Sequence, residues 1–401
     1  GQEWTRFRGP NGSGISDTKG IPTAWTEKDY HWKVELPAGG HSSPVLWGDK
    51  IFLSGADDAN AERKVFALNT AGKLLWSQSY TSAVHKRHKL NSFASPSATC
   101  DADLVYYSWS SPDEYTLLAM THDGKEKWKR DLGPYVSQHS AGVSPIIYGN
   151  FVILVNCQDK EGGGQSSVIA VDKKTGETAW QLPCESTFVP YSTPCVRKNA
   201  SGKDELIFNE SNTGMKAVDP LTGKINWAIP TLINKRSVSS PVITAGGLIT
   251  ITCGSGGGGN YLLAVHPKDS SDALAGTVAY KVDKTAPYVP TPLAKGDRLF
   301  MMADNGIATS VNAKTGETIW QKRVGGTYYG SMVCIDDKLY CPTADGEIVV
   351  LSATDKYELI ARNPLGETMH SSPAVAGGRL YLRTVNHLIS IGGEKPKLAL
   401  R

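Results

Sequence analysis

The sequence predicts an all-β protein, one closed eight-bladed β-propeller of four-stranded antiparallel blades, and three observations carry that prediction. A glycine is followed four places later by a tryptophan at Gly72/Trp76, Gly124/Trp128, Gly176/Trp180, Gly223/Trp227 and Gly316/Trp320. A small polar residue stands before an apolar run at Ser43-Pro44, Ser95-Pro96, Ser144-Pro145, Thr193-Pro194, Ser240-Pro241, Thr291-Pro292, Ser331-Met332 and Ser372-Pro373, which makes eight units. Between these markers each unit reads as four short strands in roughly 40–50 residues, the size of a propeller blade.

Residues 1–30 precede the first unit and are expected to pack on the propeller as an extension, with 31–393 forming the propeller and 394–401 a C-terminal tail. In the first unit the apolar runs are Pro44 to Trp47, Ile51 to Ser54, Val65 to Leu68 and Leu74 to Gln78, separated by a Gly48-Asp49 turn, a polar loop and a turn from Thr70 to Gly72. The gap between Trp227 and Trp320 holds a degenerate copy, Gly276 to Tyr280, and the seventh unit has lost both signature residues at Glu358-Leu359-Ile360-Ala361. The chain ends soon after the third strand of the eighth unit, Leu388 to Ile391. Its missing outer strand is supplied by His31 to Leu36, whose Trp32 completes the signature, and closing the ring this way removes open sheet edges. Helical solenoids are excluded by the short apolar runs, the 41 Gly and the 22 Pro.

Length alone suggests two or three domains, but neighbouring repeats bury each other's faces and form one unit. The composition is 40% hydrophobic and 20% charged. Mean hydropathy is -0.27, and no run approaches the roughly 18 apolar residues of a membrane span. A net charge of +3, from 42 basic and 39 acidic residues, points away from nucleic acid. One local cluster, His85-Lys86-Arg87-His88-Lys89, reads either as a solvated loop or as a contact for an acidic partner or ligand. The seven cysteines, Cys100, Cys157, Cys184, Cys195, Cys253, Cys334 and Cys341, include no CxxC pair. The pairing is left open by the sequence, with Cys184 and Cys195, on one inter-blade loop, the first pair to test for a disulfide, and the odd count leaves at least one thiol free within the chain. The chain starts at Gly1 and not Met, which fits either a removed signal peptide or a truncation.

The signature residues are read as structural. In the fuller copies, Asp172 to Gly176, Asp219 to Gly223 and Asn312 to Gly316, the Asp or Asn side chain bonds backbone amides ahead of it while Gly accepts the positive φ that closes the turn. The indoles of Trp32, Trp76, Trp128, Trp180, Trp227 and Trp320 then lie on outermost strands. There each buries apolar area against the adjacent blade and offers its N–H to a backbone acceptor. A carbohydrate-stacking role for them has little support.

The pattern Ala-x-Asp-x-x-Thr-Gly-x-x-x-Trp, at Ala170 to Trp180 and Ala217 to Trp227, resembles the tryptophan-docking motif of quinoprotein-type, PQQ-like propellers. That family includes the pyrroloquinoline quinone (PQQ) dependent alcohol dehydrogenases and BamB-like envelope proteins. The opening Trp4-Thr5-Arg6-Phe7-Arg8-Gly9-Pro10-Asn11-Gly12 is similar to the start of PQQ-like repeat proteins abundant in planctomycete-type bacteria. The resemblance implies a bacterial, periplasmic or extracellular protein. Its enzymes use a vicinal disulfide and a calcium held by carboxylates, whereas this chain has no Cys-Cys dipeptide. Glu210, Asp304 and Asp345 could face the channel, but Asp304-Asn305-Gly306 and Asp345-Gly346 read first as turn formers. No CxxCH, P-loop, HExxH or GxSxG motif occurs, and Gly254 to Gly259 reads as a flexible loop, so no catalytic residue is assigned.

Loop lengths indicate where binding would concentrate. Connections between first and second strands are tight, as at Gly48-Asp49 and Gly377-Gly378, whereas second-to-third and inter-blade loops are longer and emerge together on the other face. Just before each innermost strand stands a polar or aromatic residue: His41, Asn91, His139, Tyr191, Arg236, Tyr288, Tyr328 and His370. Eight-fold arrangement points them at one funnel, with the matched His41 and His370 on neighbouring blades. They either bond loop backbone or bind a ligand, and the sequence places no further ligands for a metal.

The expected function is a non-catalytic binding or scaffolding propeller of the cell envelope, monomeric and without a cofactor, that takes a protein, glycan or small polar ligand at the long-loop face. The alternative is a divergent quinoprotein dehydrogenase with PQQ and calcium acting on an alcohol or sugar. A third option is a lyase or hydrolase with a funnel histidine as base.

Overall fold

The computed structural model describes residues 3–269 and 273–393; the expected tail, 394–401, lies outside the described residues. Eight antiparallel sheets surround a central channel. From the channel outward, blade one runs Val45–Trp47, Lys50–Ala56, Arg63–Asn69 and Leu74–Tyr80. Blades two to seven repeat that order, ending with Leu359–Pro364. Blade eight consists of Ala374–Ala376, Arg379–Arg383 and His387–Ile391, completed by Tyr30–Glu35 from the N-terminal end of the chain. This closing strand begins and ends one residue before the predicted one and places Trp32 opposite Ser390. The middle strands of each blade carry the core, as in Lys50–Ala56, whose residues after Lys50 are all buried.

The innermost strands are joined by a closed belt of hydrogen bonds. The backbone N–H of Ser43 donates to Ser97 Oγ at 2.8 Å, and the same link runs on from Ser97 to Ser144 at 2.9 Å and from Ser144 to Thr193 at 3.3 Å. It continues through Ser240 at 3.0 Å, Thr291 at 3.1 Å and Ser331 at 2.9 Å. Ser331 donates to Ser372 at 2.8 Å, and Ser372 returns to Ser43 at 2.9 Å. These are the small polar residues that mark the repeat in the sequence, except in blade two. There Ser97 and not Ser95 holds the position, because Ser95 is drawn into local bonds with Asn91 and Ser92.

At the rim, six of the eight joints are made by an aromatic ring lying on the next blade's turn. A Cβ added to Gly176, which has φ 75°, would fall 2.8 Å from the Trp128 ring, so only glycine permits the approach. Trp128 Nε1 donates to the Lys173 carbonyl at 3.0 Å within that turn. Trp32 reaches Thr70 O at 3.0 Å, Trp76 reaches His122 O at 2.9 Å, Trp180 reaches Pro220 O at 3.1 Å and Trp320 reaches Thr354 O at 2.9 Å. In the degenerate copy Tyr280 substitutes, with its hydroxyl donating to Ala313 O at 3.1 Å. Trp227 departs from the pattern. Its N–H meets the buried Glu205 carboxylate at 3.1 Å, and the blade four to five joint rests instead on Arg197 and Asp269 at 2.8 Å.

The segment before the closing strand crosses the channel. Trp4 is fully buried and bridges Leu46 in blade one, while Thr5 O accepts the Cys100 N–H of blade two at 2.9 Å. Arg6 Nη2 donates to Pro194 O at 2.7 Å, Asn11 exchanges two bonds with Val196 in blade four, and Arg8 Nη2 donates to Pro292 O at 3.1 Å. Ile15–Ser16 then pairs in parallel with Val333–Ile335 of blade seven. Gly9, at φ 67°, makes the required turn where a Cβ would lie 2.5 Å from Trp4.

The disulfide differs from the pair singled out in the sequence. Cys184 pairs with Cys157, with Cα atoms 5.9 Å apart, and thereby ties the second-to-third loop of blade three to its exit. Cys195 has turned into the core beside Ile207 and Ile249, and it is buried along with the other four free thiols.

Ser331→Ala would strand the buried Thr291 N–H and is expected to cost about 1–3 kcal/mol in urea unfolding; a cost inside about 0.5 kcal/mol, typical of surface changes, would deny the belt a stabilising role. Trp180→Ala should cost about 3–5 kcal/mol by the same measurement, since the indole is 8% exposed.

Candidate functional site: the axial funnel

Above the belt lies a cavity of about 940 Å³, walled by inter-blade segments and second-to-third loops. Its lining includes His41, Asn91, His139, Tyr191, Arg236, Tyr288 and His370, seven of the eight predicted positions. Tyr328 is the exception. Its N–H bonds Asp304 O at 3.0 Å and its ring is fully buried near Phe300 and Cys341, so the neighbouring Tyr329 takes the funnel position.

The matched histidines do meet. The rings of His41 and His370 lie 4.3 Å apart, with Tyr329 edge-on to His370 at 5.1 Å. Burial lowers the His41 pKa to about 3, assisted by the charges of His370, Arg383 and Arg87. Burial also lowers that of His370, so both rings are neutral at pH 7. A second pair, His88 and His139, stands edge to face at 4.8 Å, and the pKa of His139 is lowered by burial, Arg236 and His88. Asn91 Nδ2 donates to the His139 carbonyl and links the two loops.

The basic segment from His85 to Lys89 is a folded cap at this rim. Arg87 lies 4.7 Å from the Phe93 centroid and pairs with Asp58 at 2.8 Å, while His85 packs on the same ring at 4.9 Å. Only Lys86 and Lys89 are exposed.

Several lining residues escaped the sequence reading. Lys235 Nζ donates to the carbonyls of Gly258 at 3.2 Å and Gly259 at 2.8 Å, anchoring the glycine-rich loop on the wall. Phe188, another lining residue the sequence did not mark, lies 5.5 Å from the predicted Arg236, measured at the ring centroid. Asp304 forms its turn, with Gly306 N–H on Ala303 O at 2.9 Å, and also lines the funnel. Its carboxylate accepts the N–H groups of Tyr288 at 2.7 Å and Val289 at 3.1 Å, and burial pushes its pKa up. Glu210 instead sits in the wall on Lys216 at 3.1 Å, and Asp345 is not among the lining residues. Phe7, from the crossing segment, forms the floor. The Ser/Thr markers held the signal for the belt beneath it; nothing local marks Phe7.

The donor set does not fit PQQ with calcium. Calcium takes six to eight oxygen ligands, several of them carboxylate. The lining offers one carboxylate, already bonded to two amides, and among the described residues no group of three His, Cys, Asp or Glu could hold a metal.

Fold and funnel define a PQQ-like propeller. A family model described as outer membrane protein assembly factor BamB matches residues 61–271, 269–355 and 305–393, and the chain belongs to that family. The outer membrane protein assembly factor BamB of Yersinia pestis is 23% identical over 288 residues, 67% of this chain and 69% of the relative. That of Moranella endobia is 22% identical over 285 residues, 66% and 68% of the two chains. Among solved structures, BamB from Moraxella catarrhalis superposes with a TM-score of 0.64 at 15% identity, covering 91% of this chain and 97% of its own. Quinohemoprotein alcohol dehydrogenase from Comamonas testosteroni gives 0.67 at 13% identity, covering 98% and 82%. At such identities these structures share the fold and leave function to the site.

With His41 near 3 in the fold and about 6.5 unfolded, the unfolded chain binds more protons between those values. Its contribution to stability is therefore present above pH 6.5 or so and is lost as pH falls through that window. His41→Asn should flatten the decline of the urea unfolding free energy between pH 7 and 4.5, by up to about 1.4 kcal/mol per pH unit and less if water screens the ring. Parallel declines in the two proteins would show that His41 is not held neutral by the fold.

Proposed function

We propose that the protein is a non-catalytic binding scaffold of the cell envelope that holds a partner protein at the long-loop face around the funnel. One observation carries the reading: a rigid ring of the assembly-factor family brings seven polar and aromatic side chains of its loops together in one concave site. The Cys157–Cys184 disulfide supports an oxidising compartment such as the periplasm or cell exterior. Among the described residues no helix is long and apolar enough to cross a membrane. A monomer suffices for this role, since the ring is closed by a strand of the same chain.

Alkylation of the denatured, unreduced protein should label five thiols and spare Cys157 and Cys184. Labelling of all seven would remove the support for an oxidising compartment. Photo-crosslinkers at Leu90, Gly256 and Tyr329 should capture a component of outer-membrane protein assembly in the envelope, whereas those at Asp49 and Gly377 on the opposite face should not. Capture from the opposite face alone, or a stoichiometric chromophore with dye-linked alcohol oxidation after incubation with PQQ and calcium, would overturn the reading.

A further inference from the structure

We propose that the floor of the funnel is a seat for an oxyanion, a carboxylate or phosphate-type group carried by a free small molecule or by the acidic end of a peptide. The inference goes beyond partner binding and does not require it.

The belt hydroxyls supply the first reason. Each accepts the backbone N–H of the preceding blade, and none donates a hydrogen bond to another described protein atom. A hydroxyl has one donor besides its acceptor sites, so one O–H per blade remains for the lumen. Every belt residue except Ser240 lines the cavity. A ligand rich in acceptors answers such a ring, and a multi-oxygen anion offers acceptors without bringing donors of its own.

Charge supplies the second. Lys235, Arg236 and Lys284 line the cavity with Asp304 as the single carboxylate, and no described carboxylate lies in ion-pair range of the three cations. Lys284 adopts φ 64°, an unfavourable conformation for a side-chain-bearing residue, and still presents itself to the funnel.

The floor supplies the third. Phe7 is flanked by Arg6 and Arg8, which are 8% and 0% exposed and have no carboxylate partner. Each donates to a carbonyl immediately after a belt residue, Pro194 after Thr193 and Pro292 after Thr291. Arg6 Nε and Arg8 Nε and Nη1 are buried with no hydrogen-bond partner. Burial lowers the two guanidinium pKa values to about 10 and about 9, which leaves both charged at pH 7. Two positive charges therefore stand uncompensated just beneath a ring of hydroxyl donors, where low dielectric strengthens their attraction for an anion.

Calorimetric titration of the full chain at low ionic strength tests this with citrate, inorganic phosphate, hexaglutamate and hexaglutamine. Citrate or hexaglutamate should bind one to one, weaken with added salt, and exceed hexaglutamine at least about tenfold, the factor expected of one charge-assisted contact. Binding of citrate without hexaglutamate assigns a free small anion, and tighter binding of hexaglutamate assigns an acidic peptide. The double variant Arg236→Gln with Lys284→Gln should lose about tenfold with an unchanged melting temperature. Thr193→Ser should retain the wild-type affinity and Thr193→Val lower it; where the valine variant fails to fold, the rim variant still decides. Binding of hexaglutamate and hexaglutamine with equal affinity, or no binding of any of the three anions, would overturn the proposal. Failure of envelope crosslinking alongside citrate binding would sink the partner reading and leave the seat standing.

Discussion

The structure depends on a circle of eight backbone-to-hydroxyl hydrogen bonds around the channel. Innermost strands such as Thr99–Cys100 and Val242–Ile243 are two residues long and cannot hold neighbouring sheets together by their own ladders. The N–H entering each strand points sideways and must find an acceptor, because a buried unpaired amide costs more than a made bond returns. A hydroxyl on the adjacent blade is the smallest group that supplies one. Six of the eight belt residues precede a proline, which holds the preceding residue extended and has no N–H of its own to satisfy.

The belt and the rim complement one another. At the channel, the joints are small, polar and alike. At the outer edge they are large and aromatic, with an indole on a glycine turn, and they tolerate exceptions. Tyr280 replaces a tryptophan and keeps its bond to the next blade, and the Arg197 to Asp269 contact stands in where Trp227 turns to Glu205. No such exception occurs in the belt, where a single lost acceptor would break a closed circuit. Its uniform chemistry also sets the character of the funnel, where a ring of hydroxyls surrounds a floor formed by Phe7 between two arginines.

Periodicity made most of the fold legible. The spacing of Gly and Trp, the Ser/Thr markers and the unpaired eighth unit led to eight sheets and to closure by the strand containing Trp32, because each is a local pattern repeated in register. Seven funnel positions followed from the same register. Tyr328 did not, since a one-residue choice between Tyr328 and Tyr329 is settled by a backbone bond to Asp304 that no spacing reveals. The partner of Cys184 did not follow either, since sequence proximity favoured Cys195, whereas the blade brings the ends of its second and fourth strands together. The crossing segment was the least legible part, as Arg6, Phe7 and Arg8 find their partners on blades far along the chain.

That crossing ties together parts of the chain that are far apart in sequence. Arg8 meets a carbonyl 284 positions later, and the Tyr340 hydroxyl donates to a carbonyl 319 positions before it. Both contacts carry the entropy of closing a loop of roughly three quarters of the chain. The segment from Trp4 to Glu35 finds its partners on blades one, two, four, six, seven and eight, so its binding surface is complete only in the whole ring. The strand that completes blade eight thus belongs to the same segment that spans the channel, so one stretch of chain both closes the ring and braces its opposite sides.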